Sequence, residues 1–251
     1  MRETVTLTGI VLIASPIKEY DRRIELLTKE RGKISAFAQG ARKAGSALSA
    51  CTIPFTFGEF TFYQGRDSYV LRSGTIREFF SVIAEDYDNT CYASYFVEMA
   101  KHFTEENMEA PDELLLLYIT LVAIQNGDMP LRLIRIVYEM RSMMLQGQMV
   151  ELFECLKCGK TGVLDVYFSS GGVICEDCAA KLPELRGVYP FELSSDAMYT
   201  LQFILTTPLE KLYSFLVSDE VLIELERFMK AYLGRFLPYK FQSLDFINEN
   251  K

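Results

Sequence analysis

Two closely spaced pairs of cysteines constrain the fold of this chain more than any other feature of its sequence. Cys155 and Cys158 form one C-x2-C pair, Cys175 and Cys178 form the second, and residues 159–174 lie between them. This spacing is typical of a zinc site in which each pair supplies two thiolates to one ion. Four thiolates complete a tetrahedral site and leave no position for water. The pairs therefore predict one structural Zn2+ per chain.

The segment between the two pairs has the composition of a small β-hairpin. Val163–Phe168 and Val173–Ile174 are the predicted strands, and Ser169–Gly172 supplies the turn residues. Two other interpretations of the cysteines remain open, namely four unrelated buried thiols or two disulfide bonds. A reducing compartment favours metal binding over disulfides. Cys51 and Cys91 stand apart from the pairs and are expected to be ordinary buried residues.

The composition indicates a soluble globular protein. Its 251 residues are 49% hydrophobic and 24% charged, which suits one large domain or two smaller ones. The N-terminal residues do not have the pattern of a signal peptide. The most apolar run, Leu114–Ile124, is too short to cross a bilayer and is predicted to be a buried helix. We therefore expect a cytoplasmic protein with no membrane partner.

The net charge of −8 hides an uneven distribution of charge along the chain. Residues 1–80 contain 12 Lys and Arg against 8 Asp and Glu, which is a net charge of +4. Residues 81–251 contain 14 against 26, which is a net charge of −12. A basic N-terminal module on an acidic remainder is typical of a local anion-binding surface, although a solvated basic face that only aids solubility has the same composition.

Alternating apolar residues predict that residues 1–80 form a small β-barrel. The first strand is predicted around Val5–Ile13, and four more at residues 23–28, 34–39, 54–63 and 68–79, the last with a break at Gly74. Five strongly bent strands with a connection after the third favour a Greek-key barrel of the OB type. An SH3-like barrel fits the pattern nearly as well.

The fourth predicted strand has an irregular pattern. Phe55 and Phe57 share one parity, whereas Phe60 and Phe62 share the other. A β-bulge would re-aim the strand in this way. We therefore predict a bulge near residues 58–59.

From residue 81 onward the apolar period becomes helical. Helices are predicted near residues 87–103, 112–126, 130–146, 194–206, 208–217 and 219–236. The predicted fold is therefore α+β and multidomain. It consists of an OB-type nucleic-acid-binding domain over residues 1–80 and a helical domain over residues 81–251, with the zinc motif at 155–178.

The sequence offers little support for catalysis, and no catalytic residue is predicted. His102 is the single histidine, and the nucleophile-elbow, metalloprotease and dinucleotide-binding motifs do not occur. A zinc-dependent hydrolase is one alternative, but it needs an open metal position, which four thiolates deny. A zinc-ribbon adaptor of transcription or translation, binding protein or RNA, is another.

The basic barrel is a better candidate for a binding site. OB barrels bind single strands through a basic groove and aromatic platforms. Arg31 and Lys33 lie at a turn, Arg42 and Lys43 lie in a loop, and both flank the same strand, so we expect one positive patch. Most of the aromatic residues must fill the core, and the sequence does not show which are exposed. They are Phe37, Phe60, Phe62, Tyr63 and Tyr69.

Several motifs, taken in order, resemble the bacterial recombination mediator family RecO. They are Lys18–Arg23, Leu27–Ile34, Gly40–Lys43 with Ser46, Pro130–Leu133 followed by Gly147 and the cysteine pairs, and Leu233–Arg235 with Lys240 and Ser243–Leu244. Each motif is modest alone, but together they span nearly the whole chain. Pro238 and Tyr239 interrupt the closing motif, so a DNA-binding role for Arg235 and Lys240 is left open.

The resemblance implies an OB-fold domain joined to a helical domain that often carries zinc. It implies a nucleoid-associated protein that binds single- and double-stranded DNA, anneals complementary strands and loads RecA together with RecR. The oligomeric state and the surface for RecR do not follow from the sequence. Carried over by residue, the resemblance implies DNA contacts at basic positions of the barrel. These are Arg31, Lys33, Arg42 and Lys43, with Arg22 and Arg23 as weaker candidates.

A second interaction surface is predicted on the helix near residues 130–146. Arg132 and Arg135 share one face of this helix, with Leu131 and Ile134 nearby. Such a face suits an acidic peptide with an apolar end, and the resemblance implies the C-terminal tail of the single-stranded-DNA-binding protein. The alternative is that both arginines pair with local carboxylates.

Overall fold

The N-terminal strands close into a barrel. In the computed structural model, which describes residues 3–65 and 68–248, the described part of residues 3–79 forms five strands: β1 (Glu3–Ile17), β2 (Asp21–Thr28), β3 (Gly32–Ala38), β4 (Thr56–Gln64) and β5 (Tyr69–Phe79). They are hydrogen-bonded in the order β1-β2-β3-β5-β4. β1 pairs with β2 through its second half and with β4 through its first half. The prediction of a five-stranded N-terminal sheet is confirmed.

Alternate residues of the strands fill the inside of the barrel. Ile24 and Leu26 of β2, Ile34 of β3, and Phe60 and Phe62 of β4 are buried in one apolar cluster. A strand directs successive side chains to opposite faces, so this spacing of two places each of them inside. Phe60 and Phe62 are therefore core residues and cannot stack on a ligand.

The connection between β3 and β4 packs a short 3-10 helix, Ala50–Thr52, against the barrel. Cys51 of this helix lies in the barrel core, as expected for an isolated cysteine. A Cβ atom at Gly74 would lie 2.9 Å from the Cys51 sulfur. Glycine at this position therefore allows close approach, and β5 runs through it without the break that the sequence suggested.

The parity change predicted in β4 is wrong, because the strand alternates regularly. Gly58, Phe60 and Phe62 point inward, whereas Phe57 points outward and packs its ring 4.7 Å from that of Tyr118. Both faces of the strand are covered there, so apolar residues occupy both parities. The register does shift beside Gly58, but the extra residue lies in β5 and is Arg77.

Helices and a second, small sheet follow the barrel. The helices are α1 (Ser81–Glu85), α2 (Tyr87–Phe103), α3 (Pro111–Asn126), α4 (Leu131–Leu145), α5 (Glu176–Ala179), α6 (Ser195–Thr206), α7 (Asp219–Phe236) and α8 (Ser243–Asn248). The small sheet contains β6 (Asp165–Tyr167), β7 (Gly172–Val173) and β8 (Phe191–Glu192) in the order β7-β6-β8. Within residues 3–65 and 68–248, every helix lacks the combination of length and apolar character that a membrane crossing needs.

One predicted helix, over residues 208–217, does not form. Leu209–Lys211 makes a single 3-10 turn, and the chain then continues without regular structure to Ser218. The Ser214 hydroxyl donates to the Lys211 carbonyl at 2.6 Å, which satisfies the end of that turn locally. Phe215 instead packs its ring 5.0 Å from that of Phe203 in α6. Tertiary packing of an aromatic residue thus replaces the helix.

The chain divides into two compact units, Met1–Gly127 with Phe241–Lys251, and Asp128–Lys240. The first unit contains helices as well as the barrel, because α3 packs on barrel strands through contacts such as Phe57 with Tyr118. The change from strands to helices falls at residue 80. The predicted domains at 1–80 and 81–251 follow that change of architecture rather than the compact units, and they stay a prediction.

The C-terminal segment belongs to the first unit through contacts with α2. The carboxylate of Glu98 accepts hydrogen bonds from the backbone N–H groups of Gln242 at 3.0 Å and Ser243 at 2.9 Å, which caps the N-terminus of α8. The rings of Phe241 and Tyr95 pack edge to face at 5.5 Å. This cap and the buried ring together explain why the chain returns to the first unit after residue 240.

The loop between α2 and α3 is fixed against the turn between β2 and β3. The N–H of Asn107 donates to the Arg31 carbonyl at 2.9 Å, and the N–H of Lys33 donates to the Glu105 carbonyl at 3.3 Å. Gly32 sits between these bonds with a φ of 59°. A Cβ atom there would lie 2.2 Å from the Glu105 carbonyl oxygen and 2.5 Å from that of Met108.

This close approach predicts a large cost for adding one methyl group. Gly32→Ala should lower the free energy of unfolding by about 3 kcal/mol, because a left-handed residue gains a Cβ and two carbonyls must move away. Gly45→Ala is the matched control, since Gly45 has a φ of 72° but nothing within 4 Å of a built Cβ. It should cost about 1 kcal/mol. Urea unfolding measures both, and equal costs would contradict the close approach.

Candidate metal centre and nucleic-acid interface

The four cysteines of the two pairs converge in the second unit. The sulfurs of Cys155, Cys158, Cys175 and Cys178 all lie within 4.8 Å of one another. The sulfurs of Cys158 and Cys175 are 3.7 Å apart. That is far beyond an S–S bond of about 2.05 Å and near the ~3.8 Å between sulfurs bound at ~2.3 Å to a tetrahedral ion. The four thiols are thus arranged to hold one metal ion.

Each pair is a tight turn that presents two sulfurs on the same side. In the first turn the N–H of Gly159 donates to the Cys155 carbonyl at 2.9 Å, and the N–H of Cys155 donates to the Lys160 carbonyl at 2.8 Å. Gly159 has a φ of 73°, a conformation that glycine adopts without steric cost. In the second turn the N–H of Cys178 donates to the Cys175 carbonyl at 3.0 Å, where α5 begins.

A small β-hairpin connects the two turns, as the sequence predicted. Val166 of β6 pairs with Val173 of β7, and Gly171 makes the turn between them with a φ of 80°. The N–H of Leu156 also donates to the Val173 carbonyl at 3.0 Å. These backbone bonds set the distance between the two cysteine pairs. The third strand of this sheet, β8, was not predicted, because two residues give no readable period.

The thiols differ in burial and in acidity. Cys155 and Cys175 are buried, whereas Cys158 is exposed. Burial raises the pKa of the Cys155 thiol, but backbone N–H donors, led by that of Cys175 at 3.4 Å, outweigh it and lower this pKa to about 6. Hydrogen bonds with the neighbouring sulfurs, first that of Cys175, raise the pKa of Cys178 to about 12. A bound cation would make all four thiolates favourable together.

The structure does not bring the four predicted DNA-binding residues into one patch. The β2–β3 ladder runs from the pair Arg22–Ala38 to the pair Thr28–Gly32. Six residues at about 3.3 Å each separate its ends by ~20 Å. Arg31 and Lys33 lie at the second end, whereas Arg42 and Lys43 follow the first end. The expectation of a single patch is therefore wrong, and whether each residue contacts DNA stays a prediction.

The end that carries Arg31 and Lys33 is surrounded by acidic groups. The α2–α3 loop places the exposed carboxylates of Glu105, Glu106 and Glu109 beside the β2–β3 turn. The Lys33 ammonium donates to the Lys101 carbonyl at 2.7 Å, at the C-terminus of α2. Carboxylates on a loop that is hydrogen-bonded to the turn reduce the attraction of the turn for phosphates. This acidic loop is visible in the sequence, because residues 104–113 contain no Lys or Arg.

The opposite end presents cations and an aromatic ring together with two carboxylates, those of Glu19 and Asp21. Arg42 and Lys43 are exposed, and the Arg42 guanidinium donates to the Glu19 carbonyl at 3.2 Å. The Lys43 ammonium lies 5.7 Å from the centre of the Tyr20 ring. The segment after β3 is thus held against the β1–β2 turn, to which Lys18 also belongs. Sequence reasoning did not single out Tyr20 or Lys18 as site residues, although both stand in the turn next to a predicted strand.

The two weaker DNA candidates on β2 have different surroundings. The Arg22 guanidinium donates to the Thr52 hydroxyl at 2.8 Å and so bridges β2 to the connection before β4. Arg23 lies on the outer face, where its Nε donates to the Ser35 hydroxyl at 2.8 Å. Arg23 is directly opposite Phe37 in the ladder. Of the two, Arg23 is the one whose charge is exposed.

The aromatic residues of the barrel differ in burial. Phe60, Phe62 and Tyr69 are buried in the core. Tyr63 is half-buried under the guanidinium of Arg72, which lies 5.3 Å from its ring centre. Phe37 is 40% exposed on the outer face of β3. Among the aromatics that the sequence proposed, Phe37 is therefore the best placed for stacking.

The arginines proposed to bind a peptide make contacts with carboxylates in the second unit. The Arg132 guanidinium donates to both carboxylate oxygens of Glu226, at 2.9 and 2.5 Å. Arg135 is buried, 3.6 Å from Glu139 and 3.8 Å from Glu226. These contacts match the alternative of local pairing, and peptide binding at this face stays a prediction. Arg235, whose role the sequence left open, is exposed in the last turn of α7.

Two family models match nearly the whole chain. Recombination protein O N terminal matches residues 1–80, and recombination protein O C terminal matches residues 84–245. The chain belongs to the recombination protein O family. The resemblance to RecO that the sequence motifs indicated is therefore confirmed, and the family is one of DNA repair proteins.

Full-length relatives of the RecO family agree with this assignment. The DNA repair protein RecO of Acetivibrio thermocellus is 32% identical over 243 residues, covering 96% of this chain and 94% of the relative. That of Listeria monocytogenes is 31% identical and covers 96% and 92%, respectively. That of Caldicellulosiruptor saccharolyticus is 28% identical and covers 95% of each chain.

The cysteine cluster predicts that one metal ion binds per chain. Cys158→Ser should release the ion and destabilise the second unit, because the free energy of metal binding contributes directly to folding. Cys91→Ala is the matched control, since Cys91 lies in α2 outside the cluster. Elemental analysis of protein purified without chelator should find one ion per chain in the control and a loss in Cys158→Ser. Wild-type protein without bound metal would contradict the assignment.

Proposed function

We propose that this chain is a recombination mediator that binds single- and double-stranded DNA and anneals complementary strands. In this role it acts in the bacterial cytoplasm, at the nucleoid, and helps to load RecA together with RecR and the single-stranded-DNA-binding protein. Membership of the RecO family of DNA repair proteins supports the biological role. The arrangement of the barrel supports the binding surface.

The observation that carries the proposal is the place of the basic groups on the barrel. The strand order β1-β2-β3-β5-β4, with β3 parallel to β5, is the arrangement we assign to the OB class. OB domains bind oligonucleotides on the face of their second and third strands and on the loop between the first and second. Arg42 and Lys43 lie against that loop, and Arg23 lies on that face.

Binding at this surface would depend on the charge of the DNA backbone more than on the base sequence. Arg42 and Lys43 are long, exposed side chains that reach phosphates rather than base edges. Neutralised phosphates release counterions, so affinity should fall steeply with salt. The same cations would favour annealing, because two complementary backbones repel each other until a protein neutralises them.

We further propose that the ion in the cysteine cluster is Zn2+ and that its role is structural. Thiolate ligands in two C-x2-C turns suit zinc, and four sulfurs close its coordination sphere. The ion would stabilise the β6–β7 hairpin and hold α5 beside it. The two strands of this hairpin, with three and two residues, are too short to be stable alone. A zinc-dependent hydrolase has no support in this donor set. A zinc-ribbon adaptor that binds RNA is tested by comparing RNA with DNA in the experiment below.

The function is tested by removing two charges from the basic end of the barrel. Single strands contribute a log–log salt slope of about −0.7 per neutralised phosphate, so Arg42→Ala with Lys43→Ala should make the slope shallower by about 1.4. Affinity and annealing rate should fall in parallel, whereas stability should change little, since exposed charges contribute little to it. Fluorescence anisotropy with a labelled oligonucleotide at several salt concentrations measures the slope.

The control variant removes two charges elsewhere. Lys181→Ala with Arg186→Ala takes two exposed cations from the second unit and leaves the barrel intact. This variant should keep the wild-type slope and annealing rate. If both double variants behave alike, only net charge matters and the proposed surface is wrong. Wild-type protein that binds RNA but not DNA of the same sequence would instead favour the adaptor.

A further inference from the structure

A pocket lies between the β1–β2 turn and the segment that follows β3. Its volume is about 450 Å3, which is large enough for one nucleotide base. The pocket is shallow and widely open to solvent, and it is lined by Lys18, Glu19, Tyr20, Asp21, Gln39, Gly40 and Lys43. The lining thus combines one aromatic ring, two ammonium groups and two carboxylates with the polar groups of Gln39 and Gly40.

The chemistry of this lining matches an unpaired nucleotide. Tyr20 is 44% exposed, so part of its ring is open to a ligand. The ammonium of Lys43, over that ring, is in reach of a phosphate on either side of a stacked base. One Asp21 oxygen accepts the N–H of Gly40 at 2.8 Å, and its second oxygen can accept from a base edge. A pocket made only for phosphate would not need the ring.

A second aromatic surface lies beside the pocket on the same sheet face. Phe37 lies in β3 two residues before Gln39, which lines the pocket, so the two residues are at most ~7 Å apart along the chain. Phe37 is a large apolar side chain with 40% of its surface exposed on a strand. Arg23 stands opposite it in the ladder and supplies a further cation.

We infer that Tyr20 and Phe37 bind two bases of a single DNA strand by stacking. This inference rests on the proposed function. It adds that the site selects unpaired strands over duplex DNA. Bases within a duplex are already stacked on their neighbours, so their faces cannot meet these rings without unpairing. Stacking accepts every base, because each has a flat π face. The site therefore prefers unpaired strands but reads no sequence.

The charges around the site confine the strand to this half of the face. Towards the other end of the face, the Lys101 ammonium pairs with Glu25 at 2.7 Å. Beyond it stand the carboxylates of the α2–α3 loop at Glu105, Glu106 and Glu109. A strand that follows the cations is thus held over Tyr20 and Phe37, where the rings are.

The test separates stacking from charge with two probes of equal length. One is a labelled oligothymidylate, and the other is an abasic strand that keeps every phosphate but has no bases. Phe37→Leu and Tyr20→Leu should each weaken binding of oligothymidylate by about tenfold. Neither should change the salt slope or the binding of the abasic strand, because the number of phosphate contacts is unchanged. Tyr20→Phe keeps the ring and should bind as the wild type does.

Matched controls come from exposed aromatic residues elsewhere. Phe79→Leu removes a ring that is 41% exposed at the end of β5, and Tyr189→Leu removes one that is 91% exposed in the second unit. Both should bind each probe as wild type. The chain contains no tryptophan, so Phe37→Trp introduces a unique tryptophan. Its emission, excited at a wavelength that tyrosine does not absorb, should be quenched by oligothymidylate and unchanged by the abasic strand.

The outcomes separate this inference from the proposed function. If wild-type protein binds both probes equally, or if the leucine variants bind oligothymidylate as tightly as wild type, the stacking site is wrong. The proposed function stands in that case, provided that Arg42→Ala with Lys43→Ala still makes the salt slope shallower. If wild-type protein binds no DNA, the proposed function itself fails.

Discussion

The pairing of β1 with two different neighbours is the constraint on which the first unit depends. Its second half pairs with β2 and its first half with β4, so one long strand closes the sheet. Gly9 and Gly58 lie opposite each other where the two halves meet. A Cβ at Gly9 would lie 2.4 Å from the Leu27 carbonyl oxygen, and one at Gly58 would lie 2.3 Å from that of Thr75. Glycine at both positions therefore lets the strands cross closely enough to close the barrel.

Closure of the barrel also creates the proposed binding surface. It brings the β1–β2 turn against the segment after β3, so that Tyr20, Arg42 and Lys43 become neighbours although they are up to 23 residues apart. The α2–α3 loop covers the other end of the same face with carboxylates. The charge asymmetry of the sequence, +4 over residues 1–80 and −12 beyond, is thus reproduced on a smaller scale within the first unit.

Features of the fold that depend on local pattern could be predicted from the sequence, whereas features set by long-range contacts could not. The spacing of the cysteines predicted correctly that they converge. The helical periods predicted α2 and α7 with the same first and last residues that the structure has. The return of residues 241–248 to the first unit depends on Glu98, which is distant in sequence. The single basic patch was wrong because Arg31 and Arg42 are close in sequence but lie at opposite ends of a strand. Strand length alone would have revealed this separation.

The central claim is that a single strand lies over Tyr20 and Phe37, and photo-crosslinking tests it most directly. An oligonucleotide that contains 5-iododeoxyuridine reacts on irradiation with aromatic side chains in contact with the base. Mass spectrometry of the digested wild-type complex should place the cross-links at Tyr20 and Phe37. Cross-links confined to the neighbourhood of Arg31 and Lys33, or to residues 128–240, would contradict the account.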